Sequence, residues 1–252
     1  MAKTETPEPG SAAAPRSRKG AQTRARLLES AKVVFEDTGF LEARISDIAE
    51  KAGLSHGSFY HYFDSKEQIF REVAEVQEAL LTAPPEEAEA AEAESDNELD
   101  RIRRANRRYL ERYGDNAKIM GVIEEVSRYD EQVNQARMAR QKHFADRAEH
   151  AIRRLQRTGA ANSSVDPEIA ALALGSMVAR FAELWLVERW GTFDMDTVAD
   201  QVTLLWAEAI GLDESKATGS PKAKGAAPKP AKKAAANRVK KTAKKAVERR
   251  SN

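Results

Sequence analysis

Ser55, His56 and Ser58, followed by Tyr60, His61 and Tyr62, put six hydrogen-bonding side chains into eight consecutive residues. Short polar groups of this kind donate to and accept from the edges of DNA bases, and phenolic hydroxyls reach phosphate oxygens. Gly57 in their midst has no side chain, which lets the backbone approach DNA closely. The other polar constellation is His143, Asp146 and His150, spaced i, i+3, i+7. On a helix the two histidines stand two turns apart, about 10 Å, too far to share one ion at about 2 Å without strain. That trio reads as a solvated face, and no metal is expected. The chain has no cysteine, which excludes disulfides, thiolate catalysis and cysteine-held zinc. With no glycine-rich phosphate loop and no His-Glu-x-x-His, the sequence holds no catalytic constellation. Neither an enzyme nor a cofactor is expected.

A scaffold must present the polar cluster. Ile45, Ile48, Ala49 and Ala52 make the stripe of a short helix, Gly53-Leu54 supplies a tight turn, and Ser55 stands at the N-cap of a second helix of about two turns. Two helices joined by a short glycine-containing turn form a helix-turn-helix, whose second helix enters the major groove. Phe59 and Phe63 fall where they anchor that helix to the body. Lys66 opens the next helix, near a terminus whose free N–H groups favour phosphate. The same spacing fits a packed helical hairpin whose tyrosines are core, and periodicity alone does not separate the two.

Elsewhere the apolar period is also helical. Leu27, Leu28, Ala31, Val34 and Phe35 form a stripe ended by Thr38-Gly39, and Ile69, Phe70, Val73, Val76 and Leu80 form one stopped by Pro84-Pro85. Helices are expected over 98–113 and about 131–157, and Asp166-Pro167 starts another. Nothing alternates as a strand does. The fold is all-α, with an N-terminal three-helix domain and a C-terminal helical bundle. Residues 1–20 read as an arm, 21–66 as the helix-turn-helix domain, 67–212 as a second domain interrupted by an acidic loop at 84–97, and 213–252 as a basic tail. Arm, loop and tail carry too little apolar surface to offset the entropy of ordering and are expected to be disordered. No apolar run approaches bilayer length, and residues 1–20 lack the apolar centre of a secretion signal. A cytoplasmic, nucleoid-associated protein without a membrane partner is expected.

The helix-turn-helix segment resembles the TetR (tetracycline-repressor) family of bacterial transcription regulators. That family closes a first helix with Gly-Tyr/Phe, continues with Asp-Ile-Ala…Ala-Gly-Val/Leu-Ser, and then has Gly-x-x-Tyr-x-x-Phe-x-x-Lys. This chain has Gly39-Phe40, Asp47-Ile48-Ala49, Ala52-Gly53-Leu54-Ser55, Gly57, Tyr60, Phe63 and Lys66-Glu67. The likeness spans 22 to about 73, holds in spacing as well as type, and favours the DNA reading over the hairpin. It departs at Ala43-Arg44, where the family usually has a threonine pair or Thr-Ser, and at Tyr62, where histidine is common and here His61 lies one place earlier.

The resemblance implies base contacts from His56, Gly57 and Ser58 and phosphate contacts from Tyr60, Tyr62 and Lys66. For the missing threonine, either Ser46 takes part of the hydroxyl's role or Arg44 replaces a hydrogen bond to phosphate with a charge, and Ser55 and His61 complete the expected DNA-facing set. It also implies a homodimer on operator double-stranded DNA, paired through the last two helices, and a cavity in the bundle for a small-molecule effector. Tyr109, Tyr113, Met120, Ile123, Met138, Phe144, Met177 and Phe181 are the candidates to line that cavity, and they favour a hydrophobic ligand. The same eight fit an ordinary core. The function implied is a sequence-specific regulator, a repressor released by ligand. The alternative is an architectural nucleoid protein dominated by the tail.

Two further features bear on partners. Residues 169–190 are apolar almost all round, so that helix must be buried on both sides, and Val198, Val202, Leu205, Trp206 and Ala209 form a last apolar stripe. The net charge of +1 hides a polarity: from Ser215 onward thirteen basic residues face one acid, Glu248, a surplus of +12 that leaves −11 for the rest. Residues 22–70 hold six bases and eight acids. Arg16, Arg18 and Lys19 can lend them a minor-groove arm, and a basic tail calls for a polyanionic partner.

Overall fold

The computed structural model describes residues 18–85 and 97–217. Arg16, the run 86–96 and the tail beyond residue 217 lie outside the described residues, and with them the expectations placed on arm, loop and tail.

Helix α1 (Arg18–Glu42) buries Leu27, Ala31, Val34 and Phe35 on one face. Arg18 and Lys19, expected in the arm, open this helix instead: both are good helix formers, and Gly20 after them does not stop it. Gly39 interrupts α1 with φ 74°, a left-handed angle that suits glycine. The kink drops Phe40 onto Phe70, with ring centroids 4.9 Å apart, and Phe70 meets Phe35 edge-on at the same distance. Helices α2 (Ile45–Lys51), α3 (His56–Phe59) and α4 (Lys66–Thr82) complete the first bundle. Ser65 caps α4, its hydroxyl accepting from the Gln68 N–H at 3.1 Å.

The second bundle holds α5 (Glu98–Asp115), α6 (Ala117–Val126), α7 (Glu131–Arg157), α8 (Pro167–Ala182, prolonged by a π turn at Glu183–Val187), α9 (Met195–Ile210) and the short α10 (Glu214–Ala217). Sequence periodicity did not isolate α6, which follows α5 across Asn116 and has no side-chain cap at its start. The capped helices begin where their signals stand: Asp130 caps α7, Asp166 with Pro167 caps α8, and Asp194 caps α9. Gly211, left-handed at φ 61°, ends α9. No strand occurs among the described residues.

α4 belongs to both bundles. Its Ile69 and Phe70 sit in the aromatic core of the first, while Glu78 and Leu81 pack into the second, where α4 lies against α7. The boundary expected at residue 66 is therefore the start of a shared helix.

α8 departs from expectation twice. With its π turn it runs 21 residues at a mean hydropathy of 1.5, so by length and composition this one helix could cross a bilayer. The short-run expectation overlooked it because Glu168, Arg180 and Glu183 punctuate the sequence. Burial on both faces is also not met within one chain: one side packs on α7, while Ile169 is 70% and Leu172 56% exposed.

Candidate nucleic-acid interface and effector cavity

The turn after α2 is closed by backbone bonds. Gly53 N–H donates to Glu50 at 2.8 Å and Leu54 N–H to Ala49 at 2.8 Å, and Gly53 takes φ 65° to allow it. Ser55 follows in extended geometry, its hydroxyl accepting from the Ser58 N–H at 3.2 Å and lying 2.7 Å from the Ser58 hydroxyl. Helical geometry then covers only His56–Phe59, shorter than the two turns expected. Turn bonds from Tyr62 and Phe63 N–H to the Phe59 carbonyl, at 2.9 and 3.1 Å, carry the coil onward.

Phe59 and Phe63 are fully buried, with ring centroids 5.7 Å apart, and fix this segment to the body. The Arg24 guanidinium lies 4.7 Å over the Phe63 ring and pairs with Glu72 on α4. The opposite side is open. His56, Gly57, Tyr60 and His61 are exposed, Ser58 and Tyr62 half-buried, and the His56 ring meets Tyr60 edge-on at 5.4 Å. A Cβ on Gly57 would meet nothing within 4 Å, and its φ is not left-handed. The fold itself gives no reason for glycine there, although glycine costs a helix about 1 kcal/mol relative to alanine.

Arg44 and Ser46 are also exposed at the start of α2. Arg44 serves as a backbone cap without a side-chain bond, and the Ser46 hydroxyl donates to Asp47 at 3.0 Å. Lys66 is turned inward. Its ammonium donates to the carbonyls of Phe40 (2.8 Å), Leu41 (3.0 Å) and Ala43 (3.0 Å) and sits 4.8 Å over the Phe40 ring. All three N–H groups are taken up by the carbonyls that end α1, so the phosphate contact expected of this ammonium gives way to a structural one.

In the second bundle a cavity of about 630 Å³ opens among α4, α5, α7, α8 and α9. Of the eight candidates only Tyr109 and Phe144 line it. Tyr113, Met120 and Ile123 lie fully buried in the core, Met138 is half-exposed on α7, and Met177 and Phe181 pack partly buried against the core without reaching the cavity. The ring of Phe181 instead joins Trp185 at 5.9 Å. Sequence reasoning missed Ile102, Ala148, Gly175, Val178 and Trp206, all cavity-lining. Their spacing marks them only as apolar, and which apolar stripe borders a void is set by how the helices cross.

Beneath the cavity lies a buried ionic cluster that sequence reasoning also missed. Arg140, itself cavity-lining, has Nε 3.1 Å from Glu78 Oε2 and donates through Nη2 to Glu124 at 3.4 Å. Glu124 also receives Arg137 at 2.5 Å. The Arg140–Glu78 approach is close but not aligned as a hydrogen bond, and Arg140 Nη1 and the hydroxyls of Tyr109 and Tyr113 are buried without partners. Burial pushes the Glu78 carboxyl above its usual range, with Arg140 opposing. Burial likewise pushes up both phenols. His143, Asp146 and His150 all lie on α7, where the Asp146 carboxylate holds Lys142 at 2.9 Å and His150 Nδ1 lies 2.6 Å from the Asp146 carbonyl. Among the described residues no three metal-ligating side chains come together.

Residues 27–73 match the family model described as bacterial regulatory proteins, tetR family. Over 53 residues the chain is 45% identical to the HTH-type transcriptional repressor KstR2 of Mycolicibacterium smegmatis, covering 21% of this chain and 26% of that protein. The chain spans about a quarter of the length of the curated relatives it matches in this way. Over 209 residues it is 26% identical to the HTH-type transcriptional regulator TtgR of Pseudomonas putida, covering 73% of this chain and 92% of that one. The crystal structure of a TetR-family regulator from Mesorhizobium loti superposes with a TM-score of 0.61 at 18% identity, over 77% of this chain and 98% of its own. With the motif and these likenesses in agreement, residues 27–73 carry the segment shared by bacterial regulatory proteins of the tetR family, and the described residues share the all-helical fold of the solved TetR-family structures.

Proposed function

We propose that this chain is a sequence-specific transcriptional regulator, a homodimeric repressor in the cytoplasm that leaves its operator when a small ligand with an apolar body enters the cavity. The observation that carries the reading is the face built by His56, Gly57, Ser58 and Tyr60. It is polar, exposed except at half-buried Ser58, and backed by the buried rings of Phe59 and Phe63, and it contains a glycine that the fold does not need. A surface approached closely by a base-pair edge accounts for all of these features.

Dimerisation is supported by the apolar exposure of the last two long helices. Ile169 and Leu172 on α8, with Leu204 (49%) and Leu205 (56%) on α9, lack cover within the chain. A second copy laid against the same helices would cover them and place two α3 segments for half-sites one DNA turn, about 34–36 Å, apart. Coupling of ligand to DNA is supported by α4. Leu81 and Thr82 line the cavity, Glu78 faces Arg140, and the same helix carries Ile69 and Phe70 beneath the DNA-binding face. The sign of regulation follows the repressor KstR2, similar to this chain in that domain.

The test is selection of an operator from random DNA by the full chain, followed by a His56→Ala/Ser58→Ala double variant. Both side chains are outside the core, so the thermal midpoint should hold while discrimination against a scrambled site falls by about 1–3 kcal/mol per lost base contact. Full discrimination in a folded, dimeric double variant would overturn the reading. Protection of all DNA alike by the unmodified chain would favour the architectural alternative.

A further inference from the structure

The cavity walls and the cavity mouth differ in chemistry. The interior is formed by Ile102, Phe144, Ala148, Ala171, Val178 and Trp206, with Ala171, Val178 and Trp206 buried. The charge that borders the interior, Arg140, is already engaged by Glu78 and Glu124. Around the mouth stand Arg101, Arg147 and Arg154, all exposed. Glu98 receives Arg154 at 2.6 Å and Arg101 at 3.4 Å, one carboxylate shared by two guanidiniums. The other acid among the described lining residues, Asp146, is already held by Lys142. Arg147 has no partner among the described residues. Among the described lining residues the mouth thus keeps a cationic surplus beside an apolar chamber of drug-like size.

We propose that the cavity takes an amphipathic anion, an apolar chain or ring system with one carboxylate or phosphate head, and that Arg147 and Arg154 read the head. This rests on the effector cavity of the proposed function and narrows its ligand class. An apolar body gains by leaving water for the chamber, roughly in proportion to the area buried. The anionic head then stays at the half-solvated mouth, where guanidiniums bind carboxylate or phosphate in a fork without the cost of burying a charge. A cationic amphiphile of equal size meets like charges there. The apolar lining alone would admit anions, neutrals and cations equally, so the arginines give the selectivity.

Trp206 in the wall provides a direct reporter in the absence of DNA. Quenching of tryptophan fluorescence by 10-bromodecanoate would be measured on the full chain and competed with decanoate, decyl phosphate, decanol and decyltrimethylammonium, all below micelle formation. A Trp206→Phe variant locates the quenching. The expected result is saturable quenching that largely disappears in W206F, with displacement by decanoate or decyl phosphate at least about fivefold tighter than by decanol and weakest by the ammonium. Whichever anion is tighter identifies the head. A doubly charge-reversed variant, Arg147→Glu/Arg154→Glu, should weaken the anions by at least about fivefold, leave decanol unchanged and strengthen the ammonium. Equal affinity of decanol and decanoate, an unaltered order in the reversed variant, or no saturable quenching would overturn the proposal. Operator binding, scored separately, stands or falls independently of these readings.

Discussion

Arg140 on α7 sets its Nε 3.1 Å from Glu78 Oε2 on α4, with both side chains buried. One of these residues borders the cavity and the other rides the helix that supports α3, so a charge pair excluded from water joins the two halves of the molecule. Removing Arg140 leaves the Glu78 carboxylate uncompensated. Arg140→Met should therefore lower unfolding free energy by about 3–5 kcal/mol, while Glu78→Met/Arg140→Met should recover much of that loss. Urea denaturation of the two variants checks this, and a double variant as unstable as the single one would refute it.

The same carboxyl gives a pH dependence of known sign. Burial raises the Glu78 pKa above its unfolded value, so between the two values the folded chain holds a proton that the unfolded chain has released, and the ion pair with Arg140 is complete only above the folded value. Its contribution to stability is full below the unfolded value, near 4.5, and is lost as pH rises through the raised folded value. Comparing Glu78→Gln with the unmodified chain from about pH 4.5 upward should show the unmodified chain losing stability relative to the variant. A difference between the two that does not change with pH would contradict this assignment.

Lys66 offers a clean separation between a DNA contact and a structural clamp. Three carbonyls at the end of α1 accept from its ammonium. Lys66→Met should cost about 2–4 kcal/mol by thermal or urea unfolding, from loss of charge-assisted bonds and stranded carbonyls. At temperatures where the variant is folded, the salt dependence of its DNA binding should match that of the unmodified chain. A stable variant with a shallower salt slope would return Lys66 to phosphate.

The apolar strip on α8 and α9 predicts how assembly fails. Leu172→Glu/Leu204→Glu places charges where apolar side chains stand exposed in the single chain. Helical content should be preserved, while sedimentation moves from dimer to monomer and operator affinity drops by at least about a hundredfold, as bivalent engagement is lost. A double variant that remains dimeric would locate the interface elsewhere.

The basic tail calls for a salt titration. Residues 219–252 hold twelve basic side chains and one acid. Each phosphate they neutralise adds about 0.9 to the slope of log affinity against log salt. Deleting residues 219–252 should flatten that slope by several such increments without altering operator preference. An unchanged slope would remove DNA as the tail's partner.

Much of the architecture is dictated locally. Capping side chains at Ser55, Ser65, Asp130, Asp166 and Asp194, glycines at 39, 53 and 211, and the 3.6-residue apolar period act over a few neighbours. Helix type, most boundaries and the polar face around His56 follow from them, so the sequence alone was enough for the all-helical fold and the exposed polar segment. The inward turn of Lys66, the selection of Tyr109 and Phe144 over Tyr113 and Met120 as cavity walls, and the meeting of Glu78 with Arg140 join residues 23 to 62 positions apart. Apolar period says that a side chain faces inward, and charge says that it needs a partner. Neither says which neighbour will be there, because that depends on the angles at which packed helices cross, and only the assembled core sets those.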